Sequence, residues 1–182
     1  VIPANSNFDN VTDSITICAW IKPIGIQPGV EGSAIIGRRD RLAVVPAERT
    51  HFMFSVRDDL SLRFFSMNDV NSTLYTTKGI TADSVVNYGV WNFVCATFNK
   101  GLVKIYVDGA LVYNVNHGAK ELFPYNHLIS IGKIKRTIKG DSFAQFGGML
   151  DEISIWNDDL SDSLINQYMT CPPTGLEPEL LA

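Results

Sequence analysis

Guanidinium groups gather in two stretches of the chain, and guanidinium forks bind carboxylate or sulfate through paired hydrogen bonds. Arg38, Arg39 and Arg41, with Asp40 among them, form the densest charged cluster. On a rim loop they would contact an acidic glycan; a solvated turn would carry the same residues. Arg63 and Phe65 alternate on the outward face of one strand, with Arg57 nearby across a hairpin. An aromatic ring beside a cation suits a sugar ring. A patch covered by a neighbouring loop or strand would also be built this way. These six residues are the candidate ligand-binding set.

Asp151 is the strongest single candidate for a site. Strict alternation along Asp151-Glu152-Ile153-Ser154-Ile155 places its carboxylate on the face of Ile153 and Ile155, the expected core face. A carboxylate there must be paired, multiply hydrogen-bonded or metal-bound. Trp20, Trp91 and Trp156 could be stacking platforms for sugars, but strand tryptophans more often pack the sheet. His51, His117 and His127 lack metal-ligand spacing. Catalysis has little support. A glycosidase needs two carboxylates projecting together, no Glu-x-Asp-x-Glu occurs, and Asp151 and Glu152 are neighbours that should face opposite sides.

Two of the three cysteines, Cys18 and Cys95, sit mid-way along strand-like segments of similar alternation, Ser14–Pro23 and Trp91–Phe98. They could staple neighbouring strands, or be two small buried hydrophobes. A bond from Cys171 to either would bring the chain's end to a central strand. A staple implies an oxidising compartment. The sequons at Asn10 and Asn71 fit secretion, although such triplets also arise by chance.

The elements that position these groups are strands. Period-2 alternation dominates and helical periodicity is nearly absent. Expected strands include Ser33–Gly37, His51–Val56 paired with Leu60–Ser66, and Trp91–Phe98 paired with Leu102–Val107. Asp108-Gly109 makes a second tight turn into Ala110–Asn114. Leu128–Gly132 and Met149–Trp156 follow, and a polar loop is expected from Asn68 to about Val85. Ser161 should cap a short helix with Leu160, Leu164 and Tyr168 on its buried face. At 46% hydrophobic and 19% charged residues, the chain can bury a substantial core. A net charge of −4 with no basic block argues against a nucleic-acid partner. The absence of any long apolar run argues against membrane insertion. The start lacks Met and a signal-like segment, so any signal peptide is expected outside this chain.

Five motifs in order carry a resemblance. Ile15–Pro23, Trp91–Phe98, Val103–Gly109, Ile129–Gly132 and Phe146–Trp156, the last followed by Leu160-Ser161, resemble the laminin-G-like, concanavalin A-like jelly rolls over residues 1–170. The cysteine placement resembles the pentraxin branch, which implies a Cys18–Cys95 disulfide. Related jelly rolls often hold a structural Ca²⁺ with an aspartate at this kind of position, which makes Asp151 the implied metal ligand. Pentraxins also carry an acidic calcium-binding run after the strand resembling Leu128–Gly132. Here Lys133-Ile134-Lys135-Arg136 stands in its place, so their double calcium site is not expected. Such domains usually begin earlier, so a first strand is expected to be missing.

The expectation is an all-β, two-sheet antiparallel jelly-roll sandwich with one short C-terminal helix, and residues 171–182 as linker or tail. It is read as a secreted or cell-surface, non-catalytic recognition module. Its ligand would be a glycan or, alternatively, an extracellular protein partner; a polysaccharide-degrading enzyme is the remote alternative.

Overall fold

A computed structural model describes residues 2, 6–26, 32–41, 48–67, 77–118, 120–123, 127–135 and 143–182. Among the described residues, twelve strands fall into two sheets. The first contains β1 (Ser14–Pro23), β6 (Asn92–Asn99), β7 (Leu102–Val107), β8 (Ala110–Asn116) and β12 (Gly148–Trp156), in the order β12-β1-β6-β7-β8. The second contains β2 (Ser33–Arg41), β3 (Glu48–Val56), β4 (Leu62–Met67), β5 (Thr77–Ile80), β10 (Lys133–Lys135) and β11 (Phe143–Gln145), in the order β10-β11-β2-β3-β4-β5, with β9 (Ile129–Ile131) pairing β2. This is the expected jelly-roll sandwich.

Alternation builds its core. Ile15, Ile17, Ala19 and Ile21 of β1 and Val94, Ala96 and Phe98 of β6 face Phe52, Phe54 and Val56 of β3 and Leu62 and Phe64 of β4, all buried. Phe64 and Phe98 stack across the gap, ring centroids 6.1 Å apart. Two-residue turns fix the register of β6, β7 and β8. Lys100 and Gly101 (φ 45° and 98°) join Asn99 to Leu102, and Asp108 and Gly109 (φ 49° and 79°) join Val107 to Ala110. Positive φ at both central residues matches the twist of the flanking strands.

The outer face of the first sheet is covered by α1 (Asp162–Thr170). Ser161 caps it, accepting a hydrogen bond from the Leu164 backbone N–H at 3.4 Å. Leu160 and Ile165 are buried, with Leu164 and Tyr168 partly so, against Cys18, Phe93, Cys95, Tyr106 and Trp156. Thr16 ties the approach to α1: its hydroxyl donates to the Asp158 carbonyl (2.6 Å) and accepts from the Leu160 N–H (3.0 Å).

Two segments differ from expectation. Thr77–Ile80, within the expected polar loop, forms the edge strand β5. It is too short to show a period, and it holds its place through Gly79, where a Cβ would lie 2.9 Å from Val103. Residues 171–182, expected as linker or tail, lie back along the free edge of β12. The Ile155 N–H donates to the Ala182 carbonyl (2.7 Å) and the Asn157 N–H to that of Glu179 (2.8 Å). Leu180 and Leu181 pack on the two apolar clusters either side of the sheet. Glu177 locks the turn before them, accepting from the N–H groups of Thr174, Gly175 and Leu176 at 2.7–3.0 Å. Those donors hold its carboxyl down at about 2.

Candidate functional site

The pairing of β12 with β1 contains an irregularity that creates the site. Cys18 opposes Ser154, but Trp20 opposes Asp151, so β12 spends one residue more than β1 over this interval. That is a β-bulge, a device that re-aims side chains. Glu152 lies in the bulge at φ 47°, a left-handed conformation costly for a residue with a Cβ. The inserted residue shifts the alternation. Ile155 stays buried and Ile153 packs on the core, but Asp151 is exposed on the outer face beside Trp20.

Trp20, Trp91, Asp151 and Glu152 therefore line one cleft of about 300 Å³. Trp20 is half-buried and Trp91 is 39% exposed. Trp20 leans on buried Phe93, centroids 5.5 Å apart and planes tilted 60°, an edge-to-face contact that fixes its ring. The backbone at Trp91 is fixed by its neighbours. The Asn92 amide donates to the Val90 carbonyl (2.8 Å), and the Asp108 carboxylate accepts from the Phe93 N–H (2.8 Å). A second hollow of about 340 Å³ lies beyond Glu152, between β12 and the returning segment at Pro172–Gly175. Two partly exposed indoles with two carboxylates beside them offer apolar ring faces and hydrogen-bond acceptors, the usual economy of a small-ligand site.

The expected guanidinium site is not an open surface. Arg38 is fully buried and structural. It donates through Nε to the His127 carbonyl (3.0 Å), and through Nη1 to the Phe8 carbonyl (2.9 Å) and towards His51 Nδ1 (3.4 Å). Its Nη2 pairs with Asp9 at 2.5 Å. The reason is register: Arg38 faces inward after Gly37, so its head must find partners inside. His51 completes this network, donating through Nε2 to the Val11 carbonyl at 2.7 Å. Burial, with the Arg38 charge, lowers its pKa to about 4, partly offset by that hydrogen bond.

Arg63 and Phe65 do sit together as expected, the guanidinium carbon 4.4 Å from the ring centroid. Yet Arg39, Arg63 and Phe65 are only 7%, 6% and 8% exposed, so this face is covered rather than presented. Arg57 is engaged locally, its Nη1 2.6 Å from Asp59 and 3.3 Å from the Ser61 hydroxyl. Arg41 ends β2 opposite Glu48; its side chain lies outside the described residues.

Asp151, the implied calcium ligand, is exposed and accepts from the Glu152 N–H at 2.9 Å; among the described residues no group of three acidic, His or Cys side chains that could hold a metal ion is present. Cys18 and Cys95 are directly opposed on β1 and β6, buried beneath α1, and free thiols in this structure. Burial, together with the hydrogen bond that its S–H donates to Cys18, raises the Cys95 thiol pKa well above its ordinary range. Asn10 is exposed at the end of the Ser6–Asn10 turn; Asn71 lies outside the described residues. The cleft was hard to find from sequence because Trp91 reads as ordinary sheet packing, and because strict alternation separates Asp151 from Glu152 and turns Asp151 away from Trp20. The one available signal was Trp20, on the outer face of the strand that pairs with the last long one.

The Laminin_G_3 family model, described as the concanavalin A-like lectin/glucanases superfamily, matches residues 1–166, and the chain belongs to that family. Comparison with curated proteins returned no match. Among solved structures the chain is similar to a native heptameric SAP-like pentraxin from Limulus polyphemus (TM-score 0.61, 17% identity, covering 90% of this chain and 73% of that one). It is similar to a putative carbohydrate binding protein from Bacteroides ovatus (0.65, 18%, 92% of this chain but 44% of that one). It is also similar to the CBM40 of a Ruminococcus gnavus IT-sialidase bound to α2,3-sialyllactose (0.61, 16%, 85% and 82%). These likenesses show the fold, shared with carbohydrate-binding modules.

Proposed function

We propose that this chain is a non-catalytic glycan-recognition module that works outside the cell, and that the Trp20–Trp91 cleft is its binding site. The observation that carries this is the cleft itself: two partly exposed indoles flanked by two acceptor carboxylates on the outer face of a sheet. Indole faces cover the C–H faces of sugar rings while the carboxylates take their hydroxyl protons. The fold's likeness to modules whose names describe carbohydrate binding supports the reading. The opposed cysteines, suited to a disulfide, and the exposed Asn10 sequon support an extracellular setting.

A glycan array probed with the wild-type chain and with Trp91→Ala tests the proposal. Retention of one saccharide class by the wild type, lost in the variant, is expected. One feature favours a second reading, a protein-adhesion module. Strand β8 forms an edge of its sheet and exposes Leu111, Val112 and Val115. A silent array alongside a protein partner captured through β8 would favour it.

A further inference from the structure

We infer, on the reading that the Trp20–Trp91 cleft binds glycans, that its ligand is an amino-sugar chain carrying free ammonium groups. Among the described residues the charged groups lining the cleft are the carboxylates of Asp151 and Glu152, both exposed and both contributed by the bulge of β12. A carboxylate accepts but does not donate, and it stabilises a cation within a few ångströms. The two indole faces add to the same preference, because their π-electron density attracts ammonium groups. A uronic or sialic acid entering this cleft would place its own carboxylate beside two others. The net charge of −4 points the same way at longer range. Glu152 also borders the second hollow, so one carboxylate sits between two neighbouring cavities. That arrangement fits successive rings of an oligosaccharide better than a single sugar.

Calorimetric titration with glucosamine oligomers, their N-acetylated counterparts of equal length, and sialyllactose tests this. N-acetylation removes the charge and leaves the ring. At low salt the free-amine oligomer should bind about tenfold more tightly than the acetylated one, the scale of two exposed ion pairs. Added salt should shrink that gap. Combining Asp151→Asn with Glu152→Gln should erase the preference while both oligomers still bind. Trp91→Ala should weaken both, with thermal denaturation confirming that each variant is folded. Equal affinities, or a preference for the acetylated or sialylated ligand, would overturn the amino-sugar inference and leave the glycan reading standing. Silence of the folded wild-type chain towards every saccharide on the array and in this set would overturn the glycan reading itself.

Discussion

Trp20 lies directly opposite Asp151 across the β1–β12 pair, because β12 carries one extra residue between Ser154 and Asp151. The strain of that insertion is concentrated at Glu152, at φ 47°. Strained backbone persists where the surrounding structure enforces it, often at functional sites. Glu152→Gly should therefore raise stability by about 1 kcal/mol, since glycine adopts this conformation freely. The same variant should bind ligand less well, having lost a cleft carboxylate. Urea denaturation beside ligand titration checks both. A less stable variant would contradict the strain argument.

Arg38 is expected to hold the fold and not the ligand. It donates to two backbone carbonyls and pairs with Asp9 while itself fully buried. Arg38→Ala should cost about 3 kcal/mol by emptying its site and orphaning those acceptors. Arg57→Ala, whose partly exposed guanidinium serves only its own turn, should cost about 1 kcal/mol or less. Denaturant midpoints of the two variants distinguish these roles.

His51 makes stability depend on pH. Its folded pKa of about 4 lies below its ordinary 6.5, so the unfolded chain takes up the proton first. Its contribution is complete above about pH 6.5 and is lost as pH falls towards 4, by at most about 3 kcal/mol for a gap of this size. Replacement by Gln, which keeps a donor near the Val11 carbonyl, should flatten the stability curve across that window. An unchanged slope would show that other groups set it.

Cys18 and Cys95 should be joined when the protein folds in an oxidising compartment. Directly opposed antiparallel residues have Cα atoms about 4.5–5.5 Å apart, within the range a disulfide spans. Non-reducing peptide mapping should recover the linked pair, and reduction should lower stability by about 4 kcal/mol, the loop being long. Recovery of Cys18 as an alkylated free thiol from secreted protein would refute the bond.

The sandwich was legible in the sequence because alternation persists along Ile15–Ile21, Phe52–Val56, Phe93–Phe98 and Leu102–Val107, and turn residues such as Asp108-Gly109 punctuate it. The helix cap at Ser161 was legible for the same local reason. The site was not, because each misplaced residue depends on register. One inserted residue turned Asp151 outward, and the inward direction of Arg38 consumed a charge that composition alone would assign to the surface. The return of residues 171–182 along β12 is a tertiary pairing without a local pattern.

Glycan binding by this module is proposed to take place in the Trp20–Trp91 cleft. Its most direct measurement is the glycan-array profile of the folded wild-type chain against that of folded Trp91→Ala. A defined saccharide class should be retained by the wild type and lost from the variant, with thermal denaturation confirming that the variant, which gives up the packing of the buried part of the Trp91 ring, is still folded. Equal retention by the two proteins, or none by the wild type, would contradict it.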